Sequence, residues 1–278
     1  MRRRRMGRGR FEGEMLYRMM AVVSLVAQAA MAETRACAHR GDVEHFPENT
    51  IPALVSAVKK GAPQIEFDVK RTRDGELVIL HDRTLQRTSN GWGAVGDYAL
   101  GELLRLDFGA WFGERFAGTR IPRLSEVAAA MPPEVLLNVH LDAGDLGVAV
   151  PAARLLDGMG RMGNALFAAT EEHAAELRRV FPKVRICNMS RQGGDLKAYV
   201  ERTIAMGAEF IQIRDGADGQ MPEGLADAVA RLHRSKVKVN YFGANDEGKM
   251  RALAEAGVDY VLTDRLDLGM RVLGDKKR

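Results

Sequence analysis

The sequence has few cysteines and no long run of apolar residues. Cys37 and Cys187 are its two cysteines among 278 residues. They have neither the spacing of metal ligands nor the sequence context of a nucleophile, so we expect small buried apolar side chains at both positions. No segment reaches the roughly 20 apolar residues of a bilayer-spanning helix, so we expect no stable membrane anchor. Hydrophobic residues at 46% and charged residues at 28% are typical of a globular protein.

The chain also lacks a basic character outside its first residues. Its formal net charge is +4. Seven arginines against two glutamates give residues 1–32 a charge of +5, so residues 33–278 carry −1. A nucleic-acid-binding domain is expected to carry its positive charge on the folded body. The charge distribution therefore argues against nucleic acid as a partner.

Residues 1–32 have the pattern of an export signal. An arginine-rich stretch precedes a short apolar core at 19–27, and Ala30-Met31-Ala32 offers a small-x-small cleavage site. We therefore predict a signal peptide over 1–32 and a periplasmic or secreted protein over 33–278. The alternative is a start codon placed too early, in which case the protein is cytoplasmic. Either way, these residues are left out of the fold prediction.

Short apolar runs alternate with helical patterns through residues 33–278. The strand candidates are 35–38, 64–69, 77–80, 135–141, 165–168, 184–188, 210–213, 237–242 and 260–262. The helical patterns are 49–60, 124–131, 148–159, 171–180, 195–206, 224–235 and 246–256. Such alternation implies parallel strands joined by helical crossovers, and the predicted fold is a closed (β/α)8 barrel of the TIM type. Because nine candidates exceed eight strands, either one lies outside the barrel or one is not a strand.

A glycine- and tryptophan-containing stretch breaks this rhythm after the third strand candidate. The turn sequence Thr72-Arg73-Asp74-Gly75 leaves no room for a helix between the second and third strands. The stretch at about 82–123 is too long for an ordinary connection, and connections of such length are often functional. We predict an insertion there that covers one mouth of the barrel.

Ionisable residues follow three of the predicted strands. His39 and Arg40 follow the first strand. Glu66 and Asp68 end the second, and His81 ends the third. Because the carboxyl ends of parallel barrel strands open on one face, we expect these side chains to meet. Two histidines can act as general acid and base near neutral pH, two carboxylates on one strand face suit a divalent cation, and a guanidinium suits a phosphate.

An ordered series of motifs resembles the glycerophosphodiester phosphodiesterase family over nearly all of residues 35–265. The motifs are Ala38-His39-Arg40-Gly41, Pro47-Glu48-Asn49-Thr50, Ile65-Glu66-Phe67-Asp68-Val69, Thr72-Arg73-Asp74-Gly75, His81-Asp82, Arg87-Thr88, Gly91-Trp92-Gly93, Glu102-Leu103, Ile121-Pro122-Arg123-Leu124-Ser125-Glu126-Val127, Gly257-Val258-Asp259 and Thr263-Asp264.

The resemblance implies a TIM-type barrel that hydrolyses glycerophosphodiesters to glycerol 3-phosphate and an alcohol. By position, His39 and His81 are similar to the acid/base pair of the family. Arg40 matches its phosphate contact. Glu66 and Asp68 match two of its three metal-binding carboxylates.

The chain departs from the family pattern at the fourth strand. Where the family usually has Asn-x-Glu-x-Lys, this chain has Asn138-Val139-His140-Leu141-Asp142. We predict that His140 is the third metal ligand, which would favour Mn²⁺ or Zn²⁺ over Ca²⁺ or Mg²⁺. Alternatively, Asp142 on the same strand face supplies the missing oxygen. A third alternative is a barrel that has lost its metal and only binds phosphate ligands.

Two further positions matter for the substrate and its surroundings. Phe242 stands where the family has a tryptophan, and we predict either a substrate contact or a core or rim aromatic there. Asn49 is predicted to cap the first helix, with Pro52 in the first turn. The remaining histidines, His45, His173 and His233, are predicted to lie on the surface.

The sequence thus predicts a metal-dependent phosphodiesterase that acts on a small-molecule phosphodiester, in an oligomeric state that the sequence leaves open. A second hypothesis is a lipid phosphodiesterase that acts on lysophospholipid or sphingolipid and forms a cyclic phosphate. Exposed aromatic residues in the insertion, such as Trp111 and Phe112, would favour it. A third hypothesis is a non-catalytic binding barrel. Both His39 and His81 argue against it, because binding alone needs no acid/base pair.

Overall fold

A computed structural model describes residues 33–190 and 194–273. The chain divides into two units, residues 1–33 and residues 34–278. The predicted signal peptide over 1–32 lies outside the described residues, so it stays a prediction. Among the residues that the structure covers, no helix is both long and apolar enough to span a bilayer.

Eight parallel strands close into a barrel, and a ninth strand lies outside it. The strands are β1 (Arg35–His39), β2 (Gln64–Arg71), β3 (Leu77–Ile79), β4 (Leu136–Leu141), β5 (Ala165–Ala169), β6 (Ile186–Asn188), β7 (Phe210–Arg214), β8 (Lys238–Phe242) and β9 (Tyr260–Thr263). Their order around the barrel is β1-β2-β4-β5-β6-β7-β8-β9, and β9 pairs with β1. The predicted (β/α)8 barrel is confirmed.

The barrel strands are buried on both faces, as expected for strands covered by crossover helices. On β7, Ile211 and Ile213 point outward into the main core between strands and helices. Phe210 belongs instead to a separate cluster inside the barrel, which also holds Cys37 and Cys187. Both cysteines are free and buried, as predicted.

The prediction that His81 ends a parallel strand of the barrel is wrong. β3 runs antiparallel to β2, with Val69 opposite Ile79, so it is the extra strand and not one of the eight. The tight turn after β2 sends the chain back alongside the carboxyl-terminal part of that strand. His81 therefore reaches the barrel mouth at the end of a returning strand, and not at the carboxyl end of a parallel one.

Each predicted helix is present within a residue or two of its expected ends, and two helices were not predicted. The helices are α1 (Ile51–Lys59), α2 (Leu100–Leu103), α3 (Leu124–Ala130), α4 (Ala149–Gly158), α5 (Glu171–Val180), α6 (Leu196–Ala205), α7 (Leu225–Arg234), α8 (Glu247–Glu255) and α9 (Leu266–Leu273). The unpredicted ones are α2, a single turn, and α9. Side-chain caps explain several of the starts, such as Thr50 before α1 and Asp246 before α8.

One predicted surface histidine is buried. His173 on α5 has no exposed surface. Its ring nitrogens lie 3.2 Å from the hydroxyl of Thr170 and 3.2 Å from the carbonyl oxygen of Asp145. Because both nitrogens have partners, the ring can be buried without an unsatisfied polar group. His45 and His233 are exposed, as predicted.

Residues 82–123 contribute their own small core beside the barrel. Buried apolar side chains from the insertion pack together with two from the region of β3, namely Val78, Leu80, Leu85, Val95, Leu100, Leu103, Phe108 and Ile121. Trp92 and Trp111 remain exposed, at 77% and 41%. The insertion reaches the barrel mouth through its first residues.

Candidate active site

A strained turn after β1 shapes one side of the mouth. Arg40 has a φ of 56° and Gly41 a φ of 94°. A Cβ atom on Gly41 would lie 2.7 Å from the backbone of Ala53, so only glycine fits there. The turn directs the backbone N–H of Arg40 to Glu66 Oε2 at 3.1 Å. Non-glycine residues in this region of φ are concentrated at functional sites.

Glu66, Asp68 and His140 form a compact group of potential metal ligands. Their ligand atoms all lie within 4.8 Å of one another, and no other such trio occurs among the residues described. Glu66 and Asp68 lie two residues apart on β2 and face the same way. His140 is opposite Asp68 in the β2–β4 register. Both carboxylates are buried, at 3% exposure each.

The electrostatics of this group favour a positive charge between the two carboxylates. His140 Nδ1 lies 2.7 Å from Asp68 Oδ1 and 3.6 Å from Glu66 Oε1. Burial lowers the pKa of His140, but the hydrogen bonds to the two carboxylates outweigh burial and raise this pKa to about 10. Burial likewise opposes ionisation of Asp68, yet His140 and Arg40 hold the pKa of that carboxyl well below its usual range. The donor set fits a divalent cation.

Asn49 holds Asp68 and is not the helix cap that the sequence predicted. Thr50 caps α1, since its side chain accepts from the N–H of Ala53. Asn49, with a φ of 57°, donates from Nδ2 to Asp68 Oδ2 at 2.9 Å and accepts from the N–H of Asp68 at 3.3 Å. The Pro47-Glu48-Asn49-Thr50 motif predicts the start of α1 to within one residue. Only the fold shows that the side-chain amide of Asn49 binds the carboxylate of Asp68.

His39 is held between a carboxylate and an aromatic ring. Its Nδ1 lies 2.6 Å from Asp264 Oδ1, and its Nε2 lies 3.9 Å from Glu66 Oε2. Phe242 packs edge-on against the imidazole, with ring centroids 5.0 Å apart. Burial lowers the pKa of His39, but the hydrogen bond to Asp264 and the charge of Glu66 raise it above its ordinary value. With Nδ1 occupied, Nε2 is the nitrogen that faces the carboxylates.

His81, which follows β3 beside β2, is held in the same manner. Its Nδ1 lies 2.6 Å from Asp82 Oδ1. Arg87 donates to Asp82 at 2.6 Å and, through both terminal nitrogens, to Glu48 at 2.8 Å. The hydrogen bond from Arg87 lowers the pKa of Asp82 to about 2. Glu48 in turn accepts from Arg40 at 2.9 Å, so one hydrogen-bonded chain connects Arg40 to His81.

The Asp142 carboxylate binds two cationic side chains and not the proposed metal ligands. It forms ion pairs with the buried Lys70 at 2.9 Å and with Arg83 at 3.0 Å. The group of potential ligand atoms within 4.8 Å of one another includes His140 and does not include Asp142.

The structure brings together six of the seven predicted site residues directly and the seventh through a ring contact. His39, Arg40 and Glu66 contact one another, and Asp68, His81 and His140 line one cavity of about 460 Å³. Phe242 joins them through His39. The sequence prediction missed Asp264 as the partner of His39. It follows β9 directly, so the rule that carboxyl ends of strands meet could have identified it.

The chain is similar to one family of known proteins. A model of the glycerophosphoryl diester phosphodiesterase family matches residues 39–268. A glycerophosphodiester phosphodiesterase of Caldanaerobacter subterraneus subsp. tengcongensis is 48% identical over 113 residues, which are 40% of this chain and 46% of that relative. The match thus spans less than half the length of that relative.

Solved structures share the fold over most of the chain. A glycerophosphodiester phosphodiesterase from Agrobacterium tumefaciens is 27% identical with a TM-score of 0.71, covering 86% of this chain and 100% of that one. A phosphodiesterase from Oleispira antarctica, solved in complex with its product sn-glycerol-3-phosphate, is 24% identical with a TM-score of 0.77. It covers 87% of this chain and 98% of that one. At that identity the second likeness concerns the fold alone.

Proposed function

Because this chain belongs to the glycerophosphoryl diester phosphodiesterase family, and is therefore a phosphoric diester hydrolase, we propose that it hydrolyses glycerophosphodiesters to glycerol 3-phosphate and an alcohol in a metal-dependent reaction. One observation carries the proposal. Two histidines, each held through Nδ1 by a carboxylate, flank a buried trio of metal-type ligands beside an arginine. Acid, base, cation and phosphate contacts are the groups that this hydrolysis requires.

Glu66, Asp68 and His140 would hold the divalent cation. When bound, the cation neutralises phosphate oxygens and stabilises the extra charge of the transition state. Asn49 keeps Asp68 oriented through its two hydrogen bonds. An imidazole together with two carboxylates suits Mn²⁺ or Zn²⁺, so we propose one of these over Ca²⁺ or Mg²⁺.

His39 and His81 would transfer the protons. One accepts the proton of the nucleophile, which is water or the glycerol hydroxyl of the substrate. The other donates a proton to the leaving alcohol. Asp264 and Asp82 are positioning residues, because each fixes its histidine through Nδ1 and leaves Nε2 for proton transfer. Arg40 would bind the phosphate with the guanidinium atoms that Glu48 and Asp68 leave free.

The test is metal-dependent turnover by the purified protein. The protein is stripped with a chelator and resupplied with single cations, and release of glycerol 3-phosphate is followed with several glycerophosphodiesters. We expect no activity after stripping and the best recovery with Mn²⁺ or Zn²⁺. Preference for Ca²⁺ or Mg²⁺ would contradict the role of His140. Ligand binding without turnover under any cation would support the binding-barrel hypothesis.

A lipid phosphodiesterase remains the second candidate because of the aromatic side chains on the insertion. Trp111, Phe112, Phe116 and Phe46 form a continuous series with ring centroids 5.4–5.6 Å apart. Phe46 lies two residues before Glu48, so the series leads from solvent toward the mouth. Formation of a cyclic phosphate from lysophospholipid, without a free phosphate monoester, would favour this candidate.

A further inference from the structure

Among the cavities around the barrel mouth, two lie on opposite sides. The first, described above, lies at the ends of β2, β3 and β4. The second has a volume of about 380 Å³ and is lined by Arg214, Asp215, Gly216, Ala217, Phe242 and Gly243, at the ends of β7 and β8. We call it the Arg214 cavity. In the strand order, β7 and β8 are diametrically opposite β2 and β4. A phosphodiester also has two arms, one on either side of its phosphorus.

The Arg214 cavity adjoins the proposed reaction centre. Phe242 forms part of its wall, and the same ring packs against His39. An alcohol arm that leaves the phosphate on the His39 side would therefore pass over Phe242 and enter this cavity. The half-buried aromatic ring offers an apolar surface along that path.

Arg214 points into the mouth from the last position of β7. Phe210 belongs to the cluster inside the barrel, and side chains alternate along a strand, so Phe210, Gln212 and Arg214 share the inner face. Arg214 lies directly opposite Phe242 in the β7–β8 register. Its side chain is exposed, unlike the buried Gln212 below it.

The guanidinium of Arg214 differs from the other cations around the mouth, because it has no partner among the residues that the structure describes. The paired cations are Arg40, Lys70, Arg83, Arg87 and Lys249, each with at least one carboxylate. Within residues 33–190 and 194–273, no hydrogen bond or ion pair involves the side chain of Arg214. The adjacent Asp215 cannot neutralise it, because that carboxylate binds the hydroxyl of Tyr241 and the ammonium of Lys249.

We propose that the Arg214 cavity holds the alcohol arm of the substrate and that Arg214 selects alcohols carrying a carboxylate. The inference rests on the proposed hydrolysis of glycerophosphodiesters. The glycerol arm is uncharged, so an unpaired guanidinium contributes little to its binding. A carboxylate on the alcohol arm matches the planar fork of arginine and forms charge-assisted hydrogen bonds. Glycerophosphoserine has such a group, whereas glycerophosphoethanolamine lacks it and is otherwise the same molecule.

The experiment compares kcat/KM for these two diesters in the wild type and in Arg214→Gln. We expect the wild type to favour glycerophosphoserine by at least about tenfold, in line with hydrogen bonds to a charged group. Arg214→Gln should remove that preference and leave glycerophosphoethanolamine within about twofold. Arg214→Lys should retain part of the preference. Arg179→Gln is the matched control, because Arg179 is an exposed arginine on α5, away from the mouth.

The possible outcomes separate this inference from the proposed function. Turnover of both diesters with equal kcat/KM would overturn the inference and leave the function intact. An equal loss on both diesters in Arg214→Gln would also overturn it, because the guanidinium would then act on the shared phosphoglycerol part. Calorimetric binding of both diesters gives the same comparison without turnover. An Arg214-dependent preference in Kd without hydrolysis would support the cavity assignment and contradict the proposed function.

Discussion

Several polar side chains at the two ends of the barrel differ in their partners. Just before β5 and β6, at the amino ends of the strands, two arginines donate to backbone carbonyls. Arg161 binds the carbonyls of Met131 at 2.6 Å and Pro132 at 3.2 Å, and Arg185 binds that of Gly163 at 2.6 Å. At the carboxyl ends, charged side chains bind one another, as in the chain from Arg40 through Glu48 and Arg87 to Asp82 and His81.

The two kinds of partner indicate different roles for the two ends, namely stability at the amino end and the proposed chemistry at the carboxyl end. A side chain that satisfies backbone carbonyls closes a loop and has little capacity left for a ligand. Side chains that hold one another around a cavity keep hydrogen-bonding atoms directed at the space between them. We therefore expect substitutions at the carboxyl end to change activity most and those at the amino end to change the free energy of unfolding most.

The largest expected effect is the loss of a proton-transfer group. His39→Ala should lower kcat by about 10³-fold, because general acid–base catalysis contributes about 10²–10⁴-fold. Steady-state kinetics at saturating metal checks this, with circular dichroism to show that the barrel is intact. Unchanged activity in a folded variant would contradict the mechanism and remove the functional distinction between the two ends.

Asp264→Asn should have the next largest effect. The amide keeps the shape of the carboxylate but lacks the charge that fixes His39 through Nδ1. We expect kcat to fall by about 10–100-fold, as for other groups that orient a functional histidine, with KM nearly unchanged. Asp264→Glu should recover part of the loss. A rise in KM with normal kcat would instead assign Asp264 to substrate binding.

Arg161→Ala tests whether the amino end of the barrel contributes to stability and not to activity. The substitution leaves two carbonyls without their donor and should lower the free energy of unfolding by about 2 kcal/mol. Urea unfolding measures this loss. The kcat should stay within about twofold of the wild type, since the proposed proton transfer takes place at the other end of the barrel. A large loss of activity with normal stability would show that the two ends are not separate in function.

The smallest expected effect concerns acid stability. Asp42 follows β1 at the carboxyl end, and its side chain is buried. Burial raises the pKa of Asp42, but hydrogen bonds from Ser56, His45 and Lys60 outweigh burial and lower the pKa below its usual value of 3.8. The ionised carboxylate therefore stabilises the fold fully above about pH 4, and this stability is lost as the pH falls through the lower pKa of the folded protein.

Asp42→Asn should accordingly flatten the fall in unfolding free energy below pH 4, measured by urea unfolding at a series of pH values. Glu134→Gln is the control, because Glu134 is exposed in the loop before β4 at the amino end. An equal flattening in both variants would show that acid stability does not depend on the end of the barrel.

Local patterns predicted most of the fold. All nine strands and seven of the nine helices were expected near their observed positions, because buried strands and amphipathic helices have periodicities that are visible in short segments. The direction of β3 was not predicted, although the short turn at 72–75 leaves no room for a crossover and therefore makes β3 antiparallel to β2. α9 was missed, although it contributes Leu266 and Leu273 to the core.

The sequence by itself determined the barrel and the identities of the chemical groups, because strand–helix alternation and strand-end residues are local properties of the chain. The tertiary structure alone decided the partners. His39 and Asp264 are 225 positions apart. Asn49, which the sequence predicted to be a helix cap, instead binds Asp68. Arg214 has no side-chain partner in the described part of the chain, and this depends likewise on Asp215 being bound by Tyr241 and Lys249. Such pairings arise only when distant strand ends meet on one face, which is why no single segment of the sequence could specify them.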